Sequence, residues 1–160
     1  MQRPPKPKRK PEPSPAARAL GLLARRDYTR RELAAKLTPH VEDHEELEAL
    51  LDAFTARGWL SEARVLDQVV QAKRGRLGPA RIRRALLSRG VSEELIAPAL
   101  KELKETELAQ ARSVWALKFR TAVDAGADPA RQVRFLQSRG FSVDVAMRVV
   151  RRGGSEGSGD

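Results

Sequence analysis

Between residues 16 and 152, apolar residues recur at intervals of three and four, and no stretch alternates long enough to specify a strand. That periodicity predicts helices throughout, and the local start and stop signals divide it into nine. The first spans roughly 16–26, and the second starts at Thr29, where Thr29 and Glu32 have the spacing of a capping box. The third covers roughly 43–57 and stops at Gly58, a residue suited to the left-handed position past a helix end. The fourth follows Ser61 and ends near Gly75. The fifth opens at Gly78-Pro79, with Pro at the first helical position, and stops at Gly90. The sixth follows Ser92, with Glu93 and Glu94 at the positive end of its dipole. The seventh, roughly 107–124, is expected to be the longest. The eighth opens at Asp128-Pro129 and stops at Gly140, and the ninth follows Ser142. Pro98 conflicts with this pattern, because it removes an amide donor inside the sixth helix. That helix must either kink or start later than Ser92.

These nine helices read as three helices used three times. At an offset of 50, Pro79 matches Pro129, Arg81 matches Arg131, Arg84 matches Arg134, Leu86 matches Leu136, Arg89 matches Arg139 and Gly90 matches Gly140. At an offset of 49, Leu33 answers Ile82, Leu37 answers Leu86, Leu47 answers Ile96, Leu51 answers Leu100 and Phe54 answers Leu103. A unit of about fifty residues is near the lower limit for an independent core, so neighbours must cover each other's apolar faces. The expected fold is all-α: three tandem three-helix repeats, 16–60, 61–105 and 106–152, forming an elongated, curved array. Residues 1–15 hold six of the ten prolines and read as a disordered basic arm, and 153–160 as a flexible tail.

Composition narrows the function. Aromatics are only 4% of the 160 residues, so the core must be built mainly from Leu, Val and Ala. There is no cysteine, which excludes disulfides, thiolate metal sites and cysteine nucleophiles and fits a reducing cytoplasm. No apolar run approaches the ~20 residues of a membrane span, and no apolar segment follows the basic N-terminus as in a secretory signal. The sequence has no Gly-x-Ser-x-Gly elbow, Walker loop or His-Glu-x-x-His pair, so neither a catalytic site nor a cofactor is expected.

The formal net charge of +10 points to a polyanionic partner. It is unevenly placed: residues 42–52 hold six acids and no Lys or Arg, whereas 61–90 hold eight bases and two acids. In the fifth helix Ile82 and Leu86 should face the core, leaving Arg81, Arg84 and Ser88 on another face. The eighth helix repeats this with Arg131 and Arg134, Arg74 and Arg76 sit in the turn before the fifth, and Arg89 and Arg139 close the two helices. Arg25, Arg26, Arg30 and Arg31 form a second cluster around Asp27-Tyr28-Thr29. Arginine's planar fork suits both carboxylates and phosphates, although such residues can also be plain solvent-facing side chains. His40 and His44, four apart, would share a helical face, but too few further ligands accompany them for a metal site. Trp59 and Trp115 are expected in the core rather than as stacking platforms for bases.

The runs ARALGLLARRDYTRRELAAKL (17–37), LxxLLDAFTARGWLSEAR (47–64) and RGRLGPARIRRALLSRGVSEELI (74–96) resemble the bacterial RecX regulatory family. The most specific piece is the ordered pattern from Gly75 to Val91, and the likeness covers about 17–150. The chain departs from the family pattern at Ser61–Leu66, where many members carry an acidic residue followed by Phe-Ala, and in the third unit. The resemblance implies three tandem three-helix repeats and binding to the helical filament that the RecA recombinase forms on single-stranded DNA. Such binding would lower RecA's ATP hydrolysis, strand exchange and stimulation of repressor self-cleavage. With that implication, the expected partners are the filament and, weakly and salt-dependently, single- and double-stranded DNA, bound by a cytoplasmic monomer. The alternative is a direct, non-specific DNA-binding helical protein using helix-turn-helix-like pairs.

Overall fold

Most of the described helices begin where a short polar side chain satisfies a first free amide. The computed structural model describes residues 8–120 and 126–155. Among them are nine α-helices, one 3-10 turn and no strand. Helix α1 (Pro15–Leu23) is capped by Ser14 Oγ, which accepts from Ala17 N at 3.2 Å. Helix α2 (Arg30–Leu37) has the full capping box: Thr29 Oγ1 accepts from Glu32 N, and Glu32 accepts from Thr29 N at 3.0 Å. A 3-10 turn, Thr38–His40, leads to α3 (His44–Ala56), capped by Asp43. Then follow α4 (Glu62–Lys73), capped by Ser61, α5 (Pro79–Ser88), α6 (Glu93–Glu105), α7 (Glu107–Phe119), α8 (Pro129–Ser138), capped by Asp128, and α9 (Val143–Ser155).

Three helices end in the same way. Gly58, Gly90 and Gly140 have φ of 72°, 84° and 95°, the left-handed region that glycine enters without a steric penalty. The residue after each glycine donates back to the third-last helical carbonyl: Trp59 to Phe54, Val91 to Leu86 and Phe141 to Leu136. Trp59 also packs on Phe54, with centroids 5.2 Å apart, and Arg57 lies over its ring. It therefore follows a helix as a half-exposed clip instead of filling the core.

Several expected boundaries move. Pro15, read as the end of the disordered arm, is the first residue of α1. Residues 8–13 have no regular structure, and 1–7 lie outside the described residues. Helix α7 matches α3, α6 and α9 at 13 residues and is not the longest; Arg120 caps it, and 121–125 lie outside the described residues. Helix α9 continues to Ser155, into what was expected to be flexible tail, of which 156–160 lie outside the described residues. His40 ends the 3-10 turn while His44 opens α3, so the two share no helical face.

The chain divides into two compact units, residues 1–60 and 61–160. The first is organised around Leu33, Leu37, Leu47, Leu51 and Phe54, with Ala19 from α1. The second holds two clusters. One joins Val65 and Val69 to Ile82, Leu86, Ile96 and Leu103; the other joins Ala111 and Val114 to Leu136, Ala146 and Val149. The apolar pairs at the offset of 49 thus occupy core positions, with Leu100 only partly buried.

Carboxylates tie the helices of the second unit together. Glu62, the first residue of α4, accepts from Ser92 N at the start of α6 at 3.0 Å. Glu107, the first residue of α7, accepts from Ser142 N at the start of α9 at 2.7 Å. Each supplies an acceptor and a negative charge where a helix N-terminus needs both. Glu107 is 8% exposed. Glu107→Ala removes a part-buried hydrogen bond to a charged acceptor and should cost about 2 kcal/mol, read as a lower urea midpoint. Glu107→Gln, which keeps an acceptor, should lose less; equal losses would assign the effect to packing alone.

Pro98 lies inside α6, which does start directly after Ser92, so the later start is excluded. Proline has no amide hydrogen to give to the Glu94 carbonyl. Pro98 is exposed, so Pro98→Ala restores that bond without filling space. It should raise stability by about 1–2 kcal/mol, seen as a higher thermal midpoint. An unchanged midpoint would mean that α6 is already relaxed around the proline.

Candidate functional site

The expected basic residues separate into those bound within the fold and those left over. In the first unit, Arg26 stacks over Tyr28 at 3.7 Å and donates to the Asp27 carbonyl and to Glu32. Arg30 reaches across to α3 and pairs with Glu48 at 2.6 Å and Asp52 at 2.7 Å. Hydrogen bonding to Glu48, the largest cause, and to Asp52 raises its pKa above the ordinary value against a smaller opposing effect of burial. Part of acidic α3 is therefore neutralised from within. Arg25 and Arg31 are exposed.

In the second unit Arg81 departs from expectation. Its position on α5 is exposed, but its guanidinium turns back and donates to the Ser138 carbonyl at 2.8 Å. It belongs to a junction in which the start of α5 meets the end of α8. Gly78 N donates to Arg139 O at 2.7 Å and Ala80 N to Gly140 O at 3.2 Å. Free amides at one helix start thus satisfy free carbonyls at another helix end, with opposite dipole ends facing. Gly78 has no side chain to cap α5; the α8 terminus takes that place.

Arg74 donates to Thr106 Oγ1 at 3.4 Å, and Arg76 to the Ala72 carbonyl at the end of α4. Arg89 is half-buried. Arg139 lies 5.2 Å from the Phe135 ring. Arg76 and Arg139 come together on one shallow groove with Lys118 and Leu117, and Leu117 is 88% exposed. Leu117 and Lys118 were not singled out by the sequence. A Leu one position outside the α7 apolar stripe, beside a Lys, was the available signal.

Arg84, Arg131 and Arg134 remain. All three are exposed on α5 and α8 and make no hydrogen bond or ion pair to another described residue. Behind them Ile82, Leu86 and Leu136 are fully buried, so these arginines stand on the faces opposite the core. Their guanidiniums are free for bidentate contacts to carboxylate or phosphate. Among the described residues, no group of three or more His, Asp or Glu could hold a metal ion, and no helix is long and apolar enough to cross a membrane.

Residues 61–100 match the family model for the RecX second three-helix domain. The chain is 47% identical over 142 residues to the regulatory protein RecX of Leptothrix cholodnii, covering 89% of this chain and 90% of that protein. It is 39% identical to that of Ralstonia pickettii, covering 84% of each. It is 33% identical to that of Neisseria meningitidis serogroup B, covering 92% and 96%. In structure it is similar to RecX from Lactobacillus salivarius, with a TM-score of 0.73 at 17% identity, covering 86% of this chain and 93% of that one. The matches to these relatives run over most of both chains, and the solved structure shares the all-helical fold described above. The chain therefore belongs to the RecX family of regulatory proteins.

Proposed function

We propose that this protein binds the filament that the RecA recombinase forms on single-stranded DNA and restrains it. Its effect is to lower ATP hydrolysis, strand exchange and stimulated repressor cleavage. It works in the cytoplasm as a monomer, without cofactor or chemistry of its own, through three tandem three-helix repeats. Family membership supports this reading. The observation that carries it at residue level is that Arg84 and Arg134, equivalent by the sequence repeat, and Arg131, the repeat equivalent of Arg81, stay unpaired among the described residues while Arg26, Arg30 and Arg81 are bound internally. A filament offers protein carboxylates and DNA phosphates at regular intervals, so linked units raise one another's effective concentration.

Binding to the RecA–DNA filament and to naked single-stranded DNA at matched salt tests the proposal. The filament should be bound far more tightly. Affinity for naked DNA should fall steeply with salt, because each phosphate contact adds about 0.7 to the log–log slope for a single strand. Equal affinity for the two would favour the direct DNA-binding alternative.

A further inference from the structure

A second arginine-lined groove lies away from α5, between α7 and α9. Its volume is about 620 Å3, and Arg112, Trp115, Phe119, Arg120, Val149 and Arg152 line it. Their spacing explains the convergence. Residues 112, 115 and 119 recur at helical intervals on one face of α7, Arg120 follows at its C-cap, and 149 and 152 share one face of α9. The floor is apolar: Val149 and Phe119 are buried and Trp115 is half-buried. The rim is cationic, and among the described residues no Asp or Glu lines the groove. Arg112, Arg120 and Arg152 are exposed, with no partner among the described residues.

Trp115 is held in place from the other side. Its indole Nε1–H donates to Gln132 Oε1 at 2.7 Å, and the Gln132 amide donates to the Ala127 carbonyl at 2.9 Å. Gln132 is only 6% exposed. From the α9 side, a Cβ on Gly153 would lie 2.4 Å from the ring, so glycine lets α9 approach the indole this closely. The ring is thus fixed before any ligand arrives, at low ordering cost on binding.

An apolar, aromatic floor beneath a rim of unpaired guanidiniums matches a molecule that carries a planar base and phosphate together. An acidic protein surface would use the rim and leave the floor unfilled. A duplex keeps its bases stacked inside and would do the same. We propose that the α7–α9 groove seats a nucleotide unit of a single-stranded nucleic acid, its base against Trp115 and its backbone phosphates on Arg112, Arg120 and Arg152. This combination of cationic groove and aromatic platform suits single strands without sequence preference. The site is separate from the α5 and α8 arginines and does not depend on the filament reading.

The test uses the full chain without recombinase and short labelled oligothymidylate, with oligouridylate, a duplex of equal phosphate number and polyglutamate as parallel arms. The variant Arg112→Gln/Arg120→Gln/Arg152→Gln should bind oligothymidylate about tenfold or more weakly and lose about 2 from the salt slope, three contacts at ~0.7 each. In the Trp59→Phe protein, where Trp115 is the remaining indole, saturating oligothymidylate should quench the emission. That measurement leaves all three arginines in place, so it holds even if the triple variant folds poorly. The duplex should bind more weakly than the single strands, and whichever single strand binds more tightly assigns DNA or RNA. Unchanged affinity and slope in a folded triple variant, or absence of quenching, overturns the proposal. So does a duplex bound as tightly as the single strand, which would leave the base unseated. Polyglutamate binding as tightly as the oligomer also overturns it, and marks the groove as a seat for an acidic protein.

Discussion

Gly78→Val should lower the stability of the folded chain by about 3 kcal/mol, at the upper end of overpacking costs. Gly78 has φ of −82°, which any residue can adopt, so the requirement for glycine is one of space alone. A Cβ there would lie 2.4 Å from the carbonyl carbon and oxygen of Gly140 and 2.5 Å from Phe141 N. All three are backbone atoms and cannot rotate aside. The start of α5 would have to withdraw from the end of α8. It would then strain or lose the bonds from Gly78 N to Arg139 O, from Ala80 N to Gly140 O and from Arg81 to Ser138 O. Gly75 is the matched control, since a Cβ there meets nothing within 4 Å. Urea unfolding followed by helical signal should show a lower midpoint with unchanged slope for Gly78→Val, and a shift within about 0.5 kcal/mol for Gly75→Val. A Gly78→Val protein as stable as the parent would show that the junction contributes nothing.

This junction also shows where the sequence was readable and where it was not. Helix existence followed from local rules that need no tertiary information. Thr29 and Glu32 form their box, Pro79 and Pro129 take first helical positions, and Gly58, Gly90 and Gly140 turn left-handed at helix ends. The core was readable for the same reason: a three-and-four spacing selects one face, and Leu33, Leu37, Ile82, Leu86 and Leu136 all lie fully buried on it. Gly78 was read correctly as a helix start, but the partner that replaces its missing cap lies more than sixty positions away at Arg139.

The binding residues were less readable, because periodicity says which face a side chain leaves from and not what it meets there. Arg81 leaves the solvent face of α5 and bends to a carbonyl of α8; Arg30 leaves α2 and crosses to two acids of α3. Both needed knowledge of which helix lies opposite. The α7–α9 groove was missed for a related reason. Trp115 reads as core when α7 is taken alone, and it becomes the floor of a groove only once Arg152, thirty-seven positions later, is placed beside it.

The bent-back Arg81 changes how the filament surface should be probed. Reversing Arg84, Arg131 and Arg134 together to Glu should raise the concentration needed for half-inhibition of RecA's DNA-dependent ATPase by about tenfold or more. One lost charge-assisted contact is worth about 1.5–3 kcal/mol, and about 1.4 kcal/mol is already tenfold. Arg81 stays untouched, because reversing it would place a carboxylate against the carbonyls at the end of α8 and confuse instability with lost binding. The reversal changes net charge from +10 to +4, since each site changes by two. Reversing the exposed Lys36, Lys101 and Lys104 changes total charge equally at other positions and serves as the control. With DNA in excess, simple coating of the strand demands stoichiometric protein, whereas filament recognition should inhibit well below that ratio. The arginine variant should therefore lose inhibition while keeping its helical signal, and the lysine variant should keep both. If the two lose inhibition equally, overall charge governs the effect and the α5–α8 faces are not the contact. If the parent inhibits only once the strand is covered, the protein acts on DNA directly and recognition of the filament is wrong.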